Sequence, residues 1–171
     1  MARGFDDIIL PHLDAAFNYA CRLTRNRPEA EDVVQDACVK AMRFTSSLRE
    51  GDGRSWLFAI VRNTWYRRLS RGPARRESPL DDAGGQESLD AALDPEEQLQ
   101  QQRTVTRVRA ALDELPVDFR EVVVLRDIEG LSYQEISAVV GVPIGTVMSR
   151  LARGRNRLLR VLKPAAVGSP R

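Results

Sequence analysis

Apolar residues recur along this chain at steps of three and four, the period of helices with one buried side. From Phe5 to about Thr24, Ile9, Leu13, Ala16, Phe17 and Ala20 share a face that excludes Asn18 and Arg22, which predicts a first helix. Asn26-Arg27-Pro28 interrupts it. Pro28 suits a first helical position, and Glu29, Glu31 and Asp32 suit the positive end of a helix, so a second helix is expected to run to about Arg43. Ala30, Val33, Val34, Ala37, Cys38, Ala41 and Met42 form its apolar face, leaving Asp32, Gln35, Asp36 and Lys40 on an accessible polar one. Thr45 to Gly53, rich in glycine and small polar residues, reads as a loop. Ser55 can cap a third helix, with Trp56, Leu57, Ala59, Ile60, Val61 and Leu69 inward and Arg62, Asn63, Tyr66, Arg67, Arg68 and Arg71 on a basic side.

Gly72-Pro73 closes this unit, and Glu77 to Asp94 has the composition of a flexible connector. Helical spacing returns from Pro95: Leu99, Val105, Val108, Ala111, Leu112 and Leu115 mark a helix ending at Pro116. Phe119, Val122, Val123, Leu125 and Ile128 mark another ending at Gly130. Ser132 and Glu135 have the spacing of a capping box, which opens a short helix through Ile136, Val139 and Val140. Gly141 can turn left-handed and end it. Beyond Pro143, Val147, Leu151, Gly154, Leu158 and Val161 form one continuous stripe on a long helix. Two helices joined by a tight glycine turn are a helix-turn-helix, whose second member offers its N-terminal residues to base edges in the major groove. The expectation is an all-α chain of two small helical domains.

Charge sharpens that picture. The net charge of +2 hides segregation: Arg62 to Arg76 holds six arginines and no acid, whereas Glu77 to Gln102 holds eight acids and no base. From Gly145 to Lys163 there are five arginines, one lysine and no acid, an electrostatic footprint for phosphate. Trp65 and Tyr66, set among the arginines of the third helix, are candidates for stacking on unpaired bases, while Trp56 and Phe58 read as core.

Enzyme chemistry finds little footing. The chain has one histidine, two cysteines, no phosphate-binding glycine loop and no metal-ligand spacing, so no catalytic residue, cofactor or metal is expected. Cys21 and Cys38 fall among apolar helix positions and read as small core residues. No run approaches the ~18 apolar residues of a membrane span, and Asp6 and Asp7 follow Arg3 too soon for a signal peptide, so a soluble, cytoplasmic protein without membrane insertion is expected. With no long extension after Lys163, no appended sensor domain is expected.

These blocks resemble a bacterial RNA polymerase sigma factor of the extracytoplasmic-function (ECF, group IV) type, in the sigma-70 family. The likeness is carried by Ala30-Glu31-Asp32-Val33-Val34-Gln35-Asp36-Ala37, by Trp56-Leu57-Phe58-Ala59-Ile60-Val61-Arg62-Asn63, by Leu115-Pro116 with Phe119-Arg120-Glu121-Val122, and by Leu131-Ser132-Tyr133-Gln134-Glu135-Ile136 through Gly145-Thr146-Val147-Met148-Ser149-Arg150-Leu151. Four blocks in one order are far more specific than the helix-turn-helix alone. The resemblance implies a sigma-2-like domain over 1–71, a flexible acidic linker over 72–95 and a sigma-4-like domain over 96–171.

It also implies roles. Asp32, Gln35 and Asp36 would meet the clamp helices of the beta-prime subunit of core RNA polymerase, with the beta-subunit flap as a further contact. Ser46, Arg49, Arg62, Asn63, Tyr66, Arg67 and Arg71 would read the minus-10 promoter element as the strands separate. Thr146, Ser149, Arg150 and Arg153 would address the minus-35 element from the exposed side of the recognition helix, Arg150 by a bidentate guanine contact, while Arg155, Arg157 and Arg160 meet phosphate or solvent. An anti-sigma factor is the implied regulator; no small-molecule substrate is. The chain departs from the family pattern at Ser137, at Met148 and in Trp65-Tyr66-Arg67-Arg68. The competing function is a stand-alone helix-turn-helix repressor or activator, which would bind duplex operator without polymerase.

Overall fold

The computed structural model describes residues 4–44, 46, 48, 53–72 and 92–163, and every regular element among them is helical. The first predicted helix is broken. It comprises α1 (Phe5–Ile8), a tight turn over Leu10–His12 and α2 (Leu13–Thr24), because Pro11 brings no amide hydrogen to the helical ladder. α2 ends where Arg25 takes a left-handed conformation at φ 54° and its amide donates to the Cys21 carbonyl. Asn26 opens α3 (Arg27–Phe44) by accepting the Glu29 amide at 3.0 Å. Ala30, Val33, Val34, Ala37 and Ala41 are buried as expected, Cys38 is half-buried, and Met42 at 54% exposure lies off the core.

The next helix, α4 (Gly53–Arg71), starts ahead of the expected Ser55 cap, so Ser55 lies inside it. Gly53 sets the start. A Cβ there would sit 2.6 Å from Ile8 Cγ2 and 2.8 Å from the Ile8 carbonyl oxygen, so only glycine lets α4 approach α1 this closely. Leu57, Phe58, Val61 and Thr64 are buried, Trp56 and Trp65 are partly buried against the core, and Leu69 is exposed, against expectation. Phe58 meets the buried Tyr19 edge-on at 5.2 Å.

The second half begins with α5 (Pro95–Asp113), opened by a capping box of Asp94 and Glu97. Leu99, read as part of its apolar face, is exposed, whereas Ala111, Leu112 and Leu115 are buried. α6 (Val117–Val123) widens into a π turn over Val124–Ile128, which leaves Ile128 outside the core. Gly130 then turns left-handed at φ 71°. The helix-turn-helix is as read: Ser132 and Glu135 exchange hydrogen bonds at 3.1 and 2.7 Å to open α7 (Tyr133–Val140), and Gly141 closes it at φ 73°. The Ser137 hydroxyl donates to the Val142 carbonyl at 2.5 Å and ties the turn shut. α8 (Ile144–Leu162) follows at a 98° bend. Its buried stripe is Val147, Leu151 and Gly154, with Leu158 half-buried and Val161 outside. Gly154 allows α8 to cross α6, since a Cβ there would lie 2.8 Å from Val123 Cγ2.

The two halves lie against each other, α2 on α6 and α4 on α7, and buried residues of both belong to one continuous cluster. Among the described residues no single helix is long and apolar enough to cross a membrane.

Candidate nucleic-acid interface

The leading end of α8 is exposed at Ile144 and Gly145, the Thr146 and Val147 amides donate to the Pro143 carbonyl, and α8 carries no acid. Ser149 and Arg153 are exposed there, and Thr146 is half-buried. Arg150 is half-buried like Thr146, against the expectation of a fully exposed set, and its charge opposes the rise in the Glu121 pKa. The Ser149 hydroxyl donates back to the Thr146 carbonyl at 3.0 Å. Farther along, Arg155 forms a two-pronged ion pair with Asp127 at 2.9 and 2.6 Å, and the Arg157 guanidinium lies 5.1 Å from the Phe119 ring centre. Both therefore hold α8 to its own domain.

On α4, Asn63, Arg67 and Arg71 are exposed, while Arg62 and Tyr66 are half-buried and turned toward the second half. Arg62 donates twice to Glu121, at 2.9 and 3.1 Å, and its guanidinium lies 4.5 Å from the Tyr66 ring centre. The Glu121 side chain is fully buried and also lies 3.5 Å from the Tyr19 hydroxyl. Burial pushes the Glu121 carboxyl above its ordinary range; Arg62 and Arg150 oppose the rise and Asp118 adds to it. Burial and the Glu121 charge together push the Tyr19 phenol well up, so Tyr19 remains a hydroxyl donor. Thus one buried acid of α6 holds a cation of the candidate face on α4. Of the expected loop residues, Ser46 is exposed, and Arg49 lies outside the described residues.

Asp32, Gln35 and Asp36 form an exposed patch on α3, as read. The partner of its acids was not read. Arg68, expected on the basic face of α4, instead turns to α3 and pairs with Glu29 at 3.0 Å, Asp36 at 2.9 Å and Asp32 at 3.6 Å. Its hydrogen bond to Glu29 is the main cause of a raised Arg68 pKa.

Other contacts between the halves also escaped the sequence. Arg22 pairs with Asp113 at 3.0 Å, and the buried Arg120 donates to the Arg22 carbonyl at 2.7 Å and the Leu115 carbonyl at 3.1 Å. Arg54 donates to the Glu129 carbonyl at 3.1 Å. The only available signal was an arginine or acid set inside an otherwise apolar run, as at Arg120-Glu121 before Val122.

Comparison with known proteins places both halves. Residues 8–75 match the family described as sigma-70 region 2, and residues 106–158 match sigma-70 region 4. The chain is 37% identical over 156 residues to the ECF RNA polymerase sigma factor SigE of Mycolicibacterium smegmatis, covering 91% of this chain and 60% of SigE. It is 32% identical over 170 residues to the RNA polymerase sigma-H factor of Pseudomonas aeruginosa, covering 95% of this chain and 88% of that one. The sigma factor RpoE of Bartonella quintana, solved in complex with the anti-sigma factor NepR, superimposes with a TM-score of 0.71 at 31% identity, over 94% of this chain and 95% of RpoE. With both regions present in order and relatives alike over nearly the whole of it, this chain belongs to the sigma-70 family of RNA polymerase sigma factors, among those of the ECF type.

Proposed function

We propose that the chain is the promoter-recognition subunit of a bacterial RNA polymerase, which binds core enzyme, addresses the minus-35 and minus-10 elements and promotes strand opening, with no chemistry of its own. The carrying observation is the helix-turn-helix of α7 and α8, its recognition helix basic and free of acids, in a chain that also holds a sigma region 2. Residues 1–71 serve core and minus-10 binding, 72–95 link, and 96–171 serve minus-35 binding. On α8, Thr146, Ser149 and Arg153 face the element, with Arg150 on the flank. Asp32, Gln35 and Asp36 meet the clamp helices, the exposed acids suiting a basic partner. The work is done in the cytoplasm, where polymerase and chromosome are. An anti-sigma factor is the proposed regulator, supported by the RpoE relative solved with one.

The minus-10 role of Arg62 and Tyr66 requires the halves to part, since Arg62 is bound to Glu121 and Tyr66 lies against the Arg62 guanidinium. Transcription in vitro with core polymerase and a genomic library tests the proposal. Initiation at defined start sites that depends on this chain is expected. Tight binding of a two-half-site operator by the chain alone, without initiation, would establish the repressor reading instead.

A further inference from the structure

The recognition helix carries an apolar strip where hydrogen-bonding readers are the common choice. Ile144, Met148 and Ala152 follow one another at four-residue steps along the leading half of α8, and all three are exposed, Met148 at 52%. Single exposed apolar residues are ordinary on any surface. Here three are aligned, on a helix that is basic and free of acids, so the surface that would cover them is a polyanion. Neighbouring polar groups are less available: the Ser149 hydroxyl is turned onto the Thr146 carbonyl, and Arg150 is half-buried. Arg153 is then the polar reader on the outer face.

In the major groove the one apolar feature that distinguishes a base pair is the C5-methyl group of thymine. An unbranched, polarisable thioether with three rotatable bonds fits against such a methyl group without demanding a single geometry. We infer that Met148 is a specificity-determining residue that selects thymine in the minus-35 element by packing on its methyl group, with Ile144 and Ala152 extending the apolar surface. The inference rests on the assignment of α8 to the minus-35 element.

The test uses holoenzyme assembled from the full chain and core polymerase. A duplex library randomised at the minus-35 element first yields the preferred sequence. Each thymine in it is then replaced singly by deoxyuridine, which keeps every hydrogen-bonding edge and deletes only the methyl group. One replacement is expected to weaken binding about fourfold, the worth of one buried methyl group. In the Met148→Ala holoenzyme the same replacement is expected to have no effect, and in Met148→Leu the sensitivity is expected to persist. Met148 is exposed, so neither change disturbs the core. Indifference of the wild type to every deoxyuridine replacement, an element without thymine, or unchanged sensitivity in Met148→Ala overturns the inference while leaving minus-35 binding by α8 standing. No sequence preference at all in the minus-35 duplex, with none lost in Arg153→Ala, overturns the assignment of α8 itself.

Discussion

At the scale of single residues, local chemistry was legible and distant partnership was not. Ser132, Glu135 and Gly141 announce the helix-turn-helix because a cap and a left-handed turn are satisfied by neighbours in sequence. Arg68 looks like any other arginine of a basic helix, yet its three acids lie on another element, and no helical period points to them. This changes how the polymerase contact should be probed. Asp36→Arg would set a second cation against Arg68, mixing repulsion within the fold with loss of the proposed contact, whereas Asp36→Ala introduces no repulsion and gives up only the exposed pair with Arg68. Asp36→Ala is expected to weaken binding to core polymerase while changing stability by no more than ~1 kcal/mol, because the pair is exposed and screened. Titration against core enzyme and urea unfolding, run side by side, check both halves of that statement.

Helices were found at the right places because their apolar period is strong; their ends moved where packing or proline intervened. Pro11 split the first helix although the apolar positions on either side keep their period. Gly53 started α4 early because the contact with Ile8 demands a residue without a Cβ, a reason that lies on another element. Leu69, Leu99, Ile128 and Val161 continue the period of their helices beyond the point where another element covers them, so periodicity overstated the core at helix ends. The approach at Gly53 gives a direct test. Gly53→Ala sets a methyl group against the Ile8 backbone and is expected to cost about 1–3 kcal/mol. The melting temperature should fall by roughly 2–4 °C for each kcal/mol, read by circular dichroism.

For the molecule as a whole, composition suggested two bodies on a tether, most of which (73–91) lies outside the described residues. What composition could not show is that the bodies fit together through arginines: Arg62 on Glu121, Arg22 on Asp113, Arg120 on the Arg22 carbonyl and Arg54 on the Glu129 carbonyl. Such contacts read in sequence as surface charge, because each partner completes the other only after folding. Arg62→Ala leaves a buried carboxylate without its cation, the situation in which breaking an ion pair is most destabilising. The halves are expected to separate in that variant, seen as a larger radius of gyration in X-ray scattering; an unchanged radius would show that the remaining contacts hold them without the Arg62–Glu121 pair.

Arg62 has one guanidinium, and the grip of Glu121 occupies two of its donors. If Arg62 binds nucleic acid as proposed, that ligand competes with an internal rival whose effective concentration never dilutes. Its apparent affinity is scaled down by the fraction of molecules already opened, so strengthening or weakening one carboxylate contact would set the promoter concentration at which this chain begins to respond.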